Sequence, residues 1–100
     1  MIVTVFRSRL SSDPAAQEEY ARWAGRIGEL ARSMPGYVSH KGFTAPDGER
    51  VTIVEFENEE ALRAWSAHPD HVAAKQKGRS AFYTEYRIQV CTVLRERSFP

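Results

Sequence analysis

Residues 80–94, SAFYTEYRIQVCTVL, decide the fold. The even positions Phe82, Tyr86, Ile88, Val90 and Leu94 are largely apolar, as one face of a strand requires when side chains alternate between the faces of a sheet. The odd positions would be polar on a face that met water, yet Tyr83, Cys91 and Val93 interrupt them. The strand-like start of the chain, MIVTVFRSRL at residues 1–10, has the same two-sided character. Ile2, Thr4, Phe6 and Leu10 share one parity, while Met1, Val3 and Val5 take the other. Strict alternation also sets Tyr83 and Tyr86 on opposite faces, so that at most one of them meets whatever packs on a given side.

Between these strands, Asp13 and Pro14 open a helix. Asp13 can cap it, and proline suits the first turn, where its missing N–H would be unpaired anyway. Ala16, Tyr20, Trp23, Ile27, Leu30 and Met34 then recur at steps of three and four, an amphipathic helix that Pro35-Gly36 stops. GYVSHKGFTA and RVTIVEFEN flank Pro46-Asp47-Gly48 and read as a hairpin, with Val38 opposite in parity to Tyr37 and Phe43. Asn58 caps a short helix from Glu59 to about Ala67, with Ala61, Leu62 and Trp65 inward and Glu59 and Glu60 at its positive end. Pro69 cannot continue that helix, so a second segment restarts there and runs to about Gly78.

The order is β-α-β-β-α-β over one domain, residues 1–100, the ferredoxin-like split βαβ arrangement of the α+β class. It implies an antiparallel sheet with its helices on one side. The other side still carries Val3, Val5, Tyr83, Cys91 and Val93. A two-fold copy of the same sheet is the expected cover, giving a homodimer in which two sheets close a barrel-like core.

Composition narrows the function classes. The chain is 42% hydrophobic and 27% charged, as ordinary globular domains are, with a formal charge of +1. That balance gives no electrostatic reason to expect nucleic acid. No apolar run approaches the ~20 residues of a membrane helix. The single cysteine cannot form an internal disulfide, and the N-terminus reads as a strand rather than an export signal, so the cytoplasm is the expected compartment. Cys91 reads as a packed thiol.

Chemistry-bearing residues concentrate in residues 64–90, AWSAHPDHVAAKQKGRSAFYTEYRIQV. Histidine, with an unshifted pKa near ~6.5, is the natural base at neutral pH, which singles out His68, His71 and His40. His71 lies in the first turn of the restarted helix, four residues before Lys75. His68 stands where the short helix ends, a place that also suits a side chain bonding terminal carbonyls. His40 alternates with Val38 and Gly42 on a strand. Arg79, Tyr83 and Tyr86 are donors for an anion, Arg79 alternatively binding a carboxylate such as Glu85 or Asp70. Trp65 and Phe82 are apolar walls. His68, Asp70 and His71 lack the paired spacing and third ligand of a zinc site, and no glycine-rich phosphate loop occurs.

The helix ending in MPGYVSHKGF, the hairpin closing in VTIVEFENEEALRAW, and HPDHVAAKQKGRSAFYTEYRIQVCTV together resemble the antibiotic biosynthesis monooxygenase (ABM) family of dimeric α+β barrels. Trp65, the His68–His71 box, Gly78-Arg79, Phe82-Tyr83 and Tyr86 carry the likeness. The resemblance implies a cofactor-independent monooxygenase acting with dioxygen on an electron-rich aromatic, quinol or polyketide. In that reading His71 or His68 is the base, Arg79 and Tyr83 hold the anion, and Trp65, Tyr86, His40 and Phe82 line the substrate. The alternatives are a non-catalytic dimeric ligand-binding or stress-associated module and a haem-binding relative. In the haem-degrading branch the ligand histidine falls at Lys75 and the strand asparagine at Arg7 or Ser8, and a protonated ammonium has no lone pair for iron.

Overall fold

A computed structural model describes residues 1–100. Its strands are β1 (Ile2–Leu10), β2 (Tyr37–Thr44), β3 (Arg50–Phe56) and β4 (Tyr83–Thr92); its helices are α1 (Pro14–Ser33), α2 (Glu59–Ser66) and α3 (Pro69–Lys77). The sheet is antiparallel in the order β2-β3-β1-β4, which is the expected split βαβ topology. The caps fall where short polar side chains dictate. Asp13 accepts from Ala15 N–H with Pro14 next to it, and Asn58 accepts from Ala61 N–H. Gly36, at φ 83°, supplies the left-handed turn that ends the first helical excursion.

The core sits at the β3 end of the helices. Ala31 of α1, Val54 and Phe56 of β3, and Leu62 and Trp65 of α2 form it, with Ile27, Leu30 and Met34 packed around them. By contrast α3 buries no residue, so it roofs a space rather than packing into the core.

Two departures from the sequence reading share one cause. In β2 the ladder runs Tyr37 to Phe56 and then Ser39 to Glu55, leaving Val38 as an extra residue. Such a bulge reverses the parity of everything on one side of it. Tyr37 therefore shares its face with His40 and Gly42 rather than with Phe43. In β4, Arg9 pairs with Glu85 but Leu10 with Tyr83, so Thr84 is the extra residue, and its hydroxyl donates to Arg9 carbonyl at 3.3 Å. Tyr83 and Tyr86 thus lie on the same face, against the strict alternation expected for them.

The last strand also begins later than its apolar pattern suggests. Residues Gly78–Phe82 continue from α3 as a single wide π turn, closed by a bond from Tyr83 N–H to Gly78 carbonyl. Phe82, read from sequence as a strand residue, is buried at the end of this turn with its edge against Tyr20. Beyond Thr92 the chain leaves the ladder, and Leu94 is fully exposed.

The face without helices carries Val3, Val5, Val51, Ile53, Phe43 and Cys91 in adjacent register positions. Cys91 is exposed there, not packed, because nothing in one chain covers the position opposite Val3. At the end of this face nearest the β2–β3 turn, Arg7 binds Glu49 through two bonds of 2.9 Å, and Arg9 binds Asp47 and Glu85.

Candidate active site

Between the sheet and the helices lies a cavity of about 280 Å³, lined by 22 residues of which 14 are hydrophobic. Thr4, Phe6, Thr52, Val54, Ile88 and Val90 make its floor, α1 contributes Tyr20, Trp23 and Ile27, and α3 with the π turn closes the roof. Of the eight residues singled out from sequence, seven line it: His71, Arg79, Tyr83, Trp65, Tyr86, His40 and Phe82. His68 does not. Its ring Nδ1 accepts from Asp70 N–H at 3.1 Å and its backbone N–H donates to Trp65 carbonyl, so the residue joins α2 to α3 as the cap of α3. The side chain therefore serves the start of the next helix rather than the terminal carbonyls of the previous one.

Trp65 joins core and cavity. Its indole N–H donates to Ile27 carbonyl at 3.3 Å, its ring lies tilted by 33° against Phe56, and the His71 ring lies 4.2 Å from it, centroid to centroid. His71 Nδ1 faces Trp65 carbonyl at 3.2 Å. A carbonyl can only accept, so Nδ1 carries the proton and Nε2 keeps its lone pair. Burial, then the charge of Lys75, pushes the imidazole down to about 4, so it is neutral at pH 7.

The Tyr83–Tyr86 pair follows from the β4 bulge. Their rings sit 5.8 Å apart, and both contact Phe6. Burial, reinforced by Tyr20, pushes the Tyr83 phenol well above its ordinary range, so it remains a neutral O–H donor. Arg79 Nε donates to Tyr86 Oη at 3.1 Å, which leaves the Tyr86 proton free for another acceptor. Glu85 and Asp70, the carboxylates weighed for Arg79 from sequence, do not take it; Glu85 is on the other face with Arg9. Gly78 is required beside this pair, because a Cβ there would lie 2.6 Å from Tyr83 Cε2.

On the opposite wall, the β2 bulge brings Tyr37 Oη within 2.8 Å of His40 Nδ1. The His40 ring is pushed toward its neutral form by burial and by the charge of Arg32. Tyr20, Tyr37, Thr4, Ser66 and Lys75 were not singled out for the site from sequence. For Lys75 a signal existed, since it follows His71 by one helical turn on α3 and so shares its face.

A family model described as antibiotic biosynthesis monooxygenase matches residues 1–77. The chain belongs to the antibiotic biosynthesis monooxygenase family. Among curated proteins, the uncharacterised protein YqjZ of Bacillus subtilis (strain 168) is 35% identical over 80 residues, covering 80% of this chain and 70% of that protein. Among solved structures, SnoaB, a cofactor-independent oxygenase from Streptomyces nogalater, superposes with a TM-score of 0.77 at 19% identity, covering 99% of this chain and 96% of that one. Rv0793 of Mycobacterium tuberculosis gives a TM-score of 0.81 at 17% identity, with 97% and 98% covered. At such identities the two structures share the ABM fold with this chain, and the residues around the cavity must argue the chemistry themselves. No helix is long and apolar enough to cross a membrane.

Proposed function

We propose that this ABM-family protein is a cofactor-independent monooxygenase of electron-rich aromatic or quinol-type substrates, working as a homodimer with one cavity per chain. The carrying observation is a largely apolar cavity that sets a neutral His71 beside Trp65 and brings Tyr83 and the Arg79–Tyr86 pair to the same space. Oxygenation without a cofactor requires a substrate whose anion can itself give an electron to dioxygen. The protein must then accept a proton, hold the anion and exclude water.

His71 Nε2 is the acceptor. Tyr83 and Tyr86 donate to the oxygen on which charge develops, with Arg79 polarising Tyr86 from behind. Trp65, Phe6 and Phe82 flatten the space to ring compounds, and its volume is near the lower end of the ~300–1,000 Å³ common for ligand pockets. For a substrate with a reactive ring CH₂, the anion transfers an electron to O₂ and the two radicals combine at carbon as a peroxide. Loss of water then leaves one oxygen as a carbonyl, so that R₂CH₂ and O₂ give R₂C=O and H₂O.

The test is incubation of the protein with a panel of quinols and anthrones, in air and under argon, with oxygen uptake and product mass followed. Oxygen-dependent turnover that falls at least a hundredfold in His71→Gln supports the reading. Binding without oxygen uptake by any member of the panel would instead make the protein a ligand-binding module.

A further inference from the structure

The oxygenation chemistry above leaves one cavity charge unused. Lys75 reaches the cavity from α3, and its ammonium donates to Ser66 carbonyl at 2.9 Å and to Ser66 Oγ. An ammonium has three N–H donors, so one remains. None of the 22 lining residues is Asp or Glu, and Lys75 belongs to no ion pair. One turn further on, Arg79 adds a second positive charge that is likewise without a carboxylate, while the next lysine, Lys77, faces out to Glu19 at 3.3 Å. Two cations on the wall of an apolar space, with no counter-charge from the protein, favour a ligand that brings its own.

The second observation lies on the floor. Thr4 lines the cavity, is only 9% exposed, and its Oγ1 has no hydrogen-bond partner. A buried hydroxyl left unpaired is unfavourable, and a small rotation of the Thr4 side chain toward the cavity would give it a polar atom of a ligand as partner.

We propose that the substrate is an aromatic acid: an ionised carboxylate on the ring system binds Lys75 at the roof, and a ring hydroxyl or carbonyl bonds Thr4 at the floor. The inference rests on the cavity being the substrate site, as the function proposed above requires, and not on the oxygenation step. A single carboxylate matches the one free N–H of Lys75.

Calorimetric titration under argon, where no turnover occurs, compares 6-hydroxy-2-naphthoate with 2-naphthol, which differ in the carboxylate alone. The wild type binds the acid at least tenfold more tightly at pH 7 and low salt. Lys75→Gln reduces that ratio below threefold, Lys75→Arg retains it, and Thr4→Val weakens both probes several-fold without changing it. Equal affinity of the two probes, binding of neither, or a preference that survives Lys75→Gln overturns the proposal. A merely structural Lys75, capping the end of α2 through Ser66, would lower the melting temperature and leave the ratio unchanged. If the acid preference holds while no oxygen is consumed by any substrate, the monooxygenase reading falls and this one stands.

Discussion

His71 illustrates how a single side chain is tuned by its neighbours. Packing against Trp65 strips water from the imidazole, Lys75 opposes its protonation by charge, and the bond to Trp65 carbonyl only partly offsets both. The folded group titrates at about 4 against an ordinary 6.5, so the unfolded chain binds the proton first as pH falls. Stability from the buried neutral ring is therefore complete above pH 6.5 and is lost progressively toward pH 4. Allowing for partial solvent screening, this amounts to roughly 2 kcal/mol. The wild type is expected to lose melting temperature over this window by about 4–8 °C per kcal/mol relative to His71→Gln, whose amide keeps the bond to Trp65 carbonyl but does not titrate. Parallel thermal melts of the two proteins at pH 4, 5, 6 and 7.5 check it. A constant gap between them would mean that the ring is solvated. In the proposed reaction the same geometry would make His71 a weak base that acts without competing protonation at neutral pH, its rate contribution coming from position while Tyr83 and Tyr86 stabilise the anion as it forms.

At the scale of elements, the two bulges and the π turn carry the site. Each bulge brings together aromatic residues three apart in sequence, Tyr37 with His40 and Tyr83 with Tyr86, which strict alternation would separate. The element order, the caps at Asp13 and Asn58 and the restart at Pro69 were legible because each depends on local backbone chemistry. Seven of the eight candidate site residues were legible for a related reason, being titratable or aromatic groups gathered at one helix–strand junction or on the facing strand. The direction of Tyr83 was not legible, because an inserted residue such as Thr84 leaves no mark in composition or hydropathy and only the pairing of β4 with β1 reveals it. Lys75 was missed because a lysine on a short helix ordinarily faces water. The π turn offers a test of this layer. Gly78→Ala places a methyl group against the Tyr83 ring, so either the turn or the ring must move. A loss of about 1–3 kcal/mol is expected, by analogy with an overpacked core, together with lower turnover. Chemical denaturation and a crystal structure of the variant measure the two effects, and a ring left in place at wild-type stability would show that the contact is not tight.

For the whole molecule the deciding quantity is how little one chain hides. Only ten of its 100 residues are buried, and the largest side chain fully out of solvent is Phe56, so the core is thin even for a chain of this length. The helix-free face concentrates Val3, Val5, Val51 and Ile53, with the Arg7–Glu49 and Arg9–Asp47 pairs at the end of the face nearest the β2–β3 turn. An apolar patch bordered by charged pairs suits an interface, and a face presented identically by two copies closes under two-fold symmetry without leaving a further edge. Tyr83 was expected to belong to that face and instead lines the cavity, yet the apolar centre survives without it, since β1 and β3 supply most of it. The expected outcome is a sedimentation mass of twice 11.4 kDa at micromolar concentration. Val5→Asp sets a charge between Ile53 and Gln89, on the face of β1 opposite to the one through which Thr4 and Phe6 line the cavity. In a dimer it would be buried and unpaired, a situation that costs several kcal/mol. The variant should therefore sediment as a monomer and melt at lower temperature. In a protein that is already a monomer the same aspartate would sit in water and cost at most about 0.5 kcal/mol. Analytical ultracentrifugation of both proteins across a hundredfold range of concentration separates the two cases, and a wild type of single-chain mass throughout would remove the barrel.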